Sequence, residues 1–449
     1  MNLHNSCEES SPYFRIWLIF LIYTAFIAAL IQLVVLPHFF PAWHAGNGLL
    51  VGGDWLQFHK SAVQLAAQIK IQGWSAWQLR PDGQAPIGIA SAIYAITTPQ
   101  PWTLIPLNAA LHATSGLVLL RLIQIFIPSW KKAIWCVLPF MLFPSAMTWY
   151  TQIHKDGLFI LGILFFIWGF LALGMTWHNN KWAYISSFVY VILGSVLVWI
   201  VRPYGVQMLQ VIGLLLGLLL TVYSLIAVYN KVSKVTNLLK PLFFFILILF
   251  LTPLAKGGIR DVAPPSSSPT QSPIIQYQSN QWKTSTILPA KIDVKFYTLA
   301  SVRDSYFSSY PHATSNIDLD VRFHSAQDIF LYVPRAFEIA LFSPFPVQWF
   351  DIGSSDSNTI MRRVSALEMI ITYIFLAFLV YALHLWSKRF EVWALVVFCS
   401  AMMLGFSVVI PNIGSLYRTR YGFMMILVAL GIAGFIKLIE NRWGKFVKD

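Results

Sequence analysis

The sequence predicts an all-α polytopic membrane protein, because its composition excludes a soluble globule. Of the 449 residues, 57% are apolar and only 11% are charged. The mean hydropathy is +0.64. The apolar residues are gathered into long runs that short polar gaps separate. A chain of this composition has too little polar side-chain surface to cover itself in water, so most of its helices are expected to face lipid.

About ten apolar runs approach the roughly 20 residues that the hydrocarbon core of a bilayer requires. The expected spans are residues 16–35, 102–126, 133–149, 157–177, 182–201, 205–229, 241–254, 367–386, 392–410 and 422–439. No small-residue cleavage site follows the first run, so we expect an uncleaved span rather than a signal peptide.

The spans divide the chain into three regions, which are residues 1–254, 255–366 and 367–449. The first and last are transmembrane, and the middle region is one large extracytoplasmic loop. The first outer loop, residues 37–101, is expected to hold two interfacial helices. Its run 58–71 is amphipathic at helical spacing, and its run 85–97 is too short to cross a bilayer.

The large outer loop is nearly neutral, with ten Lys or Arg and nine Asp or Glu in residues 256–366. Its proline- and serine-rich run 264–269 predicts a linker, because such a composition cannot bury a core. The aromatic and proline residues of 342–350 favour a cap that lies against the membrane surface. We therefore expect no freely tethered domain here.

Orientation follows from the Lys and Arg residues of the short loops. If the spans alternate, most of these residues fall on one side, which the positive-inside rule makes cytoplasmic. They are Lys131, Lys132, Lys181, Lys231, Lys234, Lys240, Lys388, Arg389, Arg442, Lys445 and Lys448. Both termini are then cytoplasmic, and we expect a bacterial inner (plasma) membrane protein. The net charge of +13 is thereby explained by topology and anionic-lipid contact, so no nucleic-acid partner is expected.

Three cysteines, Cys7, Cys136 and Cys399, lie in the N-terminal tail or within apolar runs. They predict neither a disulfide framework nor a thiolate metal site.

Candidate site residues gather at the predicted outer boundary, where a charge is costly unless it faces water, a partner or a substrate. The run 52–59 lies in the first outer loop and contains Asp54 and His59, and Lys60 follows it directly. Further candidates lie at outer span ends and oppose the charge rule. These are Lys155, Asp156, Arg202, Arg418 and Arg420.

Each candidate also has a structural explanation, and at this stage both stay open. Asp54 suits the N-cap of a helix over 55–71. His59 and Lys60 suit an interfacial pair whose polar ends reach water. The pair Lys155 and Asp156 suits the start of a helix, where the dipole favours the acid. Arg202 suits a headgroup anchor.

The distribution of the 18 acidic residues separates two mechanisms. None is predicted near a bilayer midplane, where a coupled transporter usually keeps a titratable group. A reaction at the outer surface is favoured instead. In glycosyl transfer from a lipid phosphate, Asp54 could deprotonate an acceptor hydroxyl as general base. Arg and Lys at helix ends would stabilise the negative charge of the leaving phosphate.

Several of these motifs together resemble the GT-C superfamily of integral-membrane glycosyltransferases. They are the acid-bearing run 52–59, the amphipathic helix ending near Gly73 and Trp74, the run 85–88, and the Arg-bearing run 412–420. The resemblance implies a GT-C-like helical fold with Asp54 as catalytic base. Its partners would be membrane lipid, a polyprenyl-phosphate-linked sugar donor, and a saccharide or lipid acceptor.

The chain departs from that pattern at Gly52 and Leu56, where many such enzymes carry a second acid close to the first. No metal ligands are therefore assigned and the sequence identifies no cofactor with certainty; use of a divalent cation is left open.

Two alternative classes remain. One is a polymerase or flippase of lipid-linked saccharides in cell-surface polysaccharide or glycolipid assembly. The other is a non-catalytic membrane protein of envelope assembly.

Overall fold

The computed structural model describes residues 12–175, 181–231, 235–256, 282–309, 311 and 313–446. The expected linker 264–269 lies outside these residues. In the described part there are sixteen α-helices and no strand, only isolated bridges between single residues. The α-helices are α1 (Pro12–Leu30), α2 (Asp54–Gln72), α3 (Ala85–Ile96), α4 (Ile105–Gln124), α5 (Trp130–Leu142), α6 (Pro144–Tyr150), α7 (Asp156–Met175), α8 (Lys181–Val201), α9 (Pro203–Tyr229), α10 (Leu239–Phe250), α11 (Thr252–Ala255), α12 (Ala290–Ser309), α13 (Ala326–Phe342), α14 (Asp356–Leu385), α15 (Phe390–Val409) and α16 (Ile413–Phe446).

Shorter elements fill several connections. A π-helix, Ile31–Phe39, continues α1. The 3₁₀ turns are Pro41–Trp43, Trp74–Ala76, Pro81–Gly83, Pro101–Leu104, Val235–Leu238 and Pro346–Gln348.

Nine helices of the described residues are long and apolar enough to cross a membrane. A tenth span results if α5 and α6, which meet at a bend of 65°, are counted together. The break falls before Pro144, which has no backbone N–H and so cannot donate the hydrogen bond that a continuous helix requires there. The prediction of an all-α multi-pass membrane protein with about ten spans is confirmed. The run 133–149, expected as one straight span, is a bent pair.

The chain forms two compact units. Unit 1 comprises Met1–Gly258, Ile371–Val396 and Met425–Asp449. Unit 2 comprises Ile259–Ile370 and Val397–Met424. The helices of the C-terminal region, 367–449, therefore contribute residues to both units.

Side-chain contacts within unit 1 show which of its loops lie together at each of its two ends. At one end, pairs join loops that the alternation of spans places on the same side. These pairs are Lys132 with Glu440 over 2.5 Å and Arg389 with the carbonyl oxygen of Ile125 over 2.8 Å. At the other end, which we call the site end, the pairs are Arg202 with Asp156 and Lys155 with Gln84. The grouping agrees with the alternation of spans expected from the sequence.

Helices α7 and α8 pack very closely because small residues face each other. A Cβ on Gly194 would come within 2.5 Å of the Gly162 carbonyl oxygen, and one on Gly169 within 2.9 Å of the Ser187 carbonyl oxygen. The Ser187 hydroxyl donates to the Gly169 carbonyl oxygen at 2.6 Å. Close approach of backbones through Gly and Ser is typical of membrane helix pairs. The same antiparallel register, continued to the helix ends, sets the start of α7 beside the end of α8.

Unit 2 is organised around two large buried side chains, Arg303 of α12 and Arg420 of α16. Arg303 donates to the Val408 carbonyl oxygen at 3.0 Å and to the Tyr332 hydroxyl at 3.3 Å. The Tyr332 hydroxyl in turn donates to Asp318 at 2.8 Å. A buried guanidinium is tolerated only when such acceptors surround it, so this network ties α12, α13 and α15 together.

Candidate functional site

The two glycines before Asp54 are required by the conformation of the loop. Gly52 has a φ of +85°, a region that L side chains rarely adopt. A Cβ on Gly53 would come within 2.1 Å of the Trp55 indole. That indole folds back over the glycine and donates through Nε1 to the Leu50 carbonyl oxygen at 2.6 Å. The double glycine therefore lets Trp55 lock the loop against the start of α2.

Asp54 is the first residue of α2 and is exposed, whereas Gly53 occupies the N-cap position. The N-cap role that the sequence also allowed for Asp54 is thus taken by a residue without a side chain. A carboxylate in the first helical turn is favoured by the positive end of the helix dipole.

His59 is half-buried one turn after Trp55 on the same face of α2. Its Nδ1 lies 3.0 Å from the Tyr94 hydroxyl of α3, and its Nε2 lies 3.5 Å from Nδ2 of Asn47. Burial lowers the pKa of His59 and raises that of Tyr94, so both side chains favour their neutral forms. Lys60 is exposed. His59 is therefore held in place by neighbours on both ring nitrogens, while Lys60 reaches solvent.

The loop between α6 and α7 is fixed by a buried glutamine that the sequence analysis did not single out. Gln152 accepts from the Leu50 amide at 3.2 Å and donates to the Gly48 carbonyl oxygen at 3.3 Å. Its own carbonyl oxygen accepts from Asn108 at 3.1 Å. The neighbouring Thr151 carbonyl oxygen accepts from Gln32 of the π-helix. Because buried amides must be paired, this network determines where the loop that leads to Asp54 lies.

A buried ionic cluster forms where α7 begins and α8 ends. Arg202 donates through Nη2 to Oδ1 of Asp156 at 2.6 Å and through Nη1 to the Tyr204 hydroxyl at 2.9 Å. Nδ1 of His154 lies 2.7 Å from Oδ2 of Asp156. The side chains of all three charged or titratable residues are at most 5% exposed. Burial alone would lower the pKa of Arg202, but Tyr204 and Asp156 hold it above its ordinary value, so the guanidinium stays charged.

The ionic cluster is joined to the Asp54 loop by aromatic and polar contacts. The ring centroids of Trp55 and His154 are 6.2 Å apart. Nζ of Lys155 lies 3.5 Å from Oε1 of Gln84 and 6.0 Å from the centroid of the Phe58 ring. Of the eight candidates, six therefore belong to the site end of unit 1. They are Asp54, His59, Lys60, Lys155, Asp156 and Arg202.

Arg80 adds a further cation at the site end, one that the sequence analysis did not single out. Its guanidinium carbon lies 4.0 Å from the centroid of the Trp199 ring, and Nη1 donates to the Trp199 carbonyl oxygen at 3.3 Å. Stacking on tryptophan is a favourable use of a guanidinium near an interface. The contact holds the first outer loop to the last turn of α8.

The other two candidates, Arg418 and Arg420, belong to unit 2. Arg420 is buried and donates to the carbonyl oxygens of Ile339, Ala340 and Ser343. These carbonyls lie at the C-terminal end of α13, where a helix leaves acceptors without internal partners. Arg420 therefore caps α13. Arg418 is half-buried two residues earlier.

Among the described residues, no group of three His, Cys, Asp or Glu side chains is placed to hold a metal ion. Arg80, His154, Gln152 and Tyr94 are site neighbours that sequence reasoning missed. Two of them carried a signal, because Arg80 is a cation in the first outer loop and His154 stands two residues before Asp156. Gln152 and Tyr94 are uncharged, and uncharged residues at a membrane boundary give no sequence signal for a site.

Comparison with known proteins gives no match: no family model, curated protein or solved structure resembles this chain significantly.

Proposed function

We propose that this protein is a membrane glycosyltransferase that takes a sugar from a polyprenyl-phosphate carrier at the extracytoplasmic face. The observation that carries the proposal is the convergence at the site end. There the exposed carboxylate of Asp54 is linked through Trp55 to the buried cluster of His154, Asp156 and Arg202. Buried ionisable groups with perturbed pKa values, and ionisable residues at a membrane boundary, concentrate at functional sites.

In the proposed reaction, Asp54 accepts the proton of the acceptor hydroxyl as its oxygen bonds to the anomeric carbon of the sugar. The bond from that carbon to the phosphate oxygen breaks, and the polyprenyl phosphate or diphosphate leaves with the electron pair. Lys155 and Lys60 stabilise the leaving charge, since cations act most strongly where charge develops. His59 keeps Nδ1 on the Tyr94 hydroxyl and binds the acceptor or the sugar through Nε2, in place of its 3.5 Å contact with Asn47.

The three outer arginines have different parts in this proposal. Asp156 offsets the charge of Arg202, so Arg202 attracts the phosphate less strongly than an arginine without an acidic partner would. Its main part is to orient the site. Phosphate binding by Arg418, which belongs to unit 2, stays a prediction from the sequence. Arg420 is assigned to the fold, because its hydrogen bonds go to backbone carbonyl oxygens.

The proposed setting is the inner membrane of a bacterium, with both termini cytoplasmic and the product a surface polysaccharide or glycolipid. The Lys and Arg distribution of the loops supports this orientation.

The test compares Asp54→Asn with Asp82→Asn in cells that lack their own copy of the gene. Asp82 is an exposed aspartate of the same outer loop and serves as the matched control. Surface glycan and lipid-linked saccharides are quantified at equal protein level. We expect Asp54→Asn to lose the glycan and to accumulate sugar-loaded carrier on the outer leaflet, while Asp82→Asn behaves as wild type.

Two results contradict the proposal. Near-normal glycan in Asp54→Asn would indicate a non-catalytic assembly protein. Accumulation of the lipid-linked intermediate on the inner leaflet alone would indicate a flippase.

A further inference from the structure

The apolar residues of helix α13 extend beyond its buried face. Ile329, Tyr332, Ala336 and Ile339 lie on the side that packs inside unit 2. Phe330, Pro334, Phe337 and Leu341 recur at helical spacing on the other side. Of these, Phe330 and Phe337 are exposed. A helix that faces water normally confines its apolar residues to the stripe that is buried.

The loop after α13 continues this uncovered surface. Val347, Phe350 and Ile352 have 83%, 76% and 79% of their surface exposed. Single exposed apolar side chains are common, but a contiguous group of large ones marks an interaction surface. We call Phe330, Phe337, Val347, Phe350 and Ile352 the apolar rim of unit 2.

The position of the rim in the chain indicates what covers it. Ile352 precedes by four residues the start of α14, which is one of the candidate spans. Exposed apolar side chains continue along α14 at Ile360 and Leu367. Arg362 and Arg363 lie in the first turns of α14, where long basic side chains commonly reach the lipid headgroups. The rim is thus continuous with a surface that faces lipid.

We propose that the apolar rim inserts into the outer boundary of the bilayer, so that α13 lies as an interfacial helix whose partner is lipid. Apolar side chains at such a boundary enter the region between headgroups and acyl chains, and the buried area supplies the binding energy. Charged residues of α13, such as Arg335 and Glu338, form an ion pair of 2.9 Å on a different side of the helix. Asp351, which stands between Phe350 and Ile352, lies 3.7 Å from Arg362, so its charge has a cationic partner. The inference does not depend on the reaction proposed above.

The test uses spin labels on the full-length protein in nanodiscs that hold one copy each. Cys7, Cys136 and Cys399 are first replaced by alanine, and single cysteines are introduced as Val347→Cys and Phe337→Cys. Ser308→Cys, an exposed position on α12, is the matched control. Collision rates with oxygen, which concentrates in lipid, and with a neutral nickel chelate, which stays in water, are compared.

We expect the ratio of oxygen to nickel collisions to be several-fold higher at positions 347 and 337 than at position 308. Nickel accessibility at position 347 equal to that at position 308 would show a solvent-exposed rim and overturn the proposal. An immobilised label with low access to both reagents would also overturn it, because it would indicate a protein partner rather than lipid.

Discussion

Arg202 donates to Asp156 over 2.6 Å although the two residues are 46 positions apart in the chain. Neither side chain has appreciable solvent access, and each residue stands at the end of a different helix. The pair can form only if the start of α7 meets the end of α8. The packing of these two helices therefore determines the geometry of the candidate site.

Removing one partner of this pair should destabilise the protein more than removing both charges. Arg202→Met leaves the carboxylate of Asp156 buried without its guanidinium, which costs about 3 kcal/mol in comparable buried pairs. The double variant Arg202→Met with Asp156→Asn should recover much of that loss. Thermal unfolding in detergent, followed by tryptophan fluorescence, measures both. A double variant as unstable as the single one would contradict the pairing as a source of the loss.

Gly194→Ala should separate α7 from α8. The new Cβ would come within 2.5 Å of the Gly162 carbonyl oxygen and 2.6 Å of the Phe166 amide nitrogen, and backbone atoms cannot move aside as side chains can. Overpacking of this kind costs about 1–3 kcal/mol. Because the helix ends carry Asp156 and Arg202, the proposed transfer activity should fall as well.

Leu193→Ala is the control for this prediction, since Leu193 is exposed on the adjacent position of α8. It should change the unfolding midpoint little. Equal behaviour of the two variants would argue against a tight contact at Gly194.

The stability of the protein should depend on pH through His59. Burial lowers the pKa of His59, so the unfolded chain takes up a proton more readily than the folded one. The stability that the neutral His59 contributes is therefore complete above the ordinary histidine pKa of about 6.5 and is lost as the pH falls below it. His59→Gln should flatten the fall of the unfolding midpoint between neutral and mildly acidic pH.

The exposed His38 gives the comparison, because His38→Gln removes a histidine without emptying a packed position. An identical pH profile of wild type and His59→Gln would show that His59 does not titrate on unfolding.

Arg420→Gln should weaken unit 2 and the end of α13. Its guanidinium supplies hydrogen bonds to three carbonyl oxygens, and hydrogen bonds that involve a charged group are worth about 1.5–3 kcal/mol each. We expect a loss of about 3 kcal/mol or more in unfolding free energy, with Arg420→Lys intermediate because an ammonium lacks the planar fork of donors. Arg363→Gln, at an exposed arginine of the same unit, should be nearly neutral. Wild-type unfolding of Arg420→Gln with lost glycan transfer would instead support phosphate binding.

Hydropathy predicted the spans well because each one exposes part of its surface to lipid, whatever its neighbours are. It did not predict the break between α5 and α6, since a proline changes the helix path without changing the apolar content of the run. Likewise, helix α2 follows from local periodicity and helix α3 from a short apolar run. Neither pattern predicts how closely the chain passes Gly88, where a Cβ would come within 2.2 Å of the Leu79 carbonyl oxygen.

The sequence named the charged candidates, whose functional roles stay predictions, but it did not predict how they are arranged. Asp156 and Arg202 were recognised because charge at a span end is unusual, but a pairing across 46 residues depends on the packing of α7 against α8. Gln152 has no charge and no motif, so only the structure reveals that it joins two loops. Arg420 was selected for the same reason as Arg202, but in the structure its hydrogen bonds cap the C-terminal end of α13.

The π-helix Ile31–Phe39 has a wider turn than the α-helix it continues, which amounts to a surplus residue inserted into the chain. Because this wide turn holds one residue more than an α-helical turn, deleting an exposed position there, such as Val34, should be absorbed locally, whereas the same deletion within α1 would rotate everything downstream by about 100°. The orientation of the loop that bears Asp54 is thus protected at the wide turn and sensitive to chain length within α1, so a one-residue deletion in α1 would displace that loop while every side chain in it is retained.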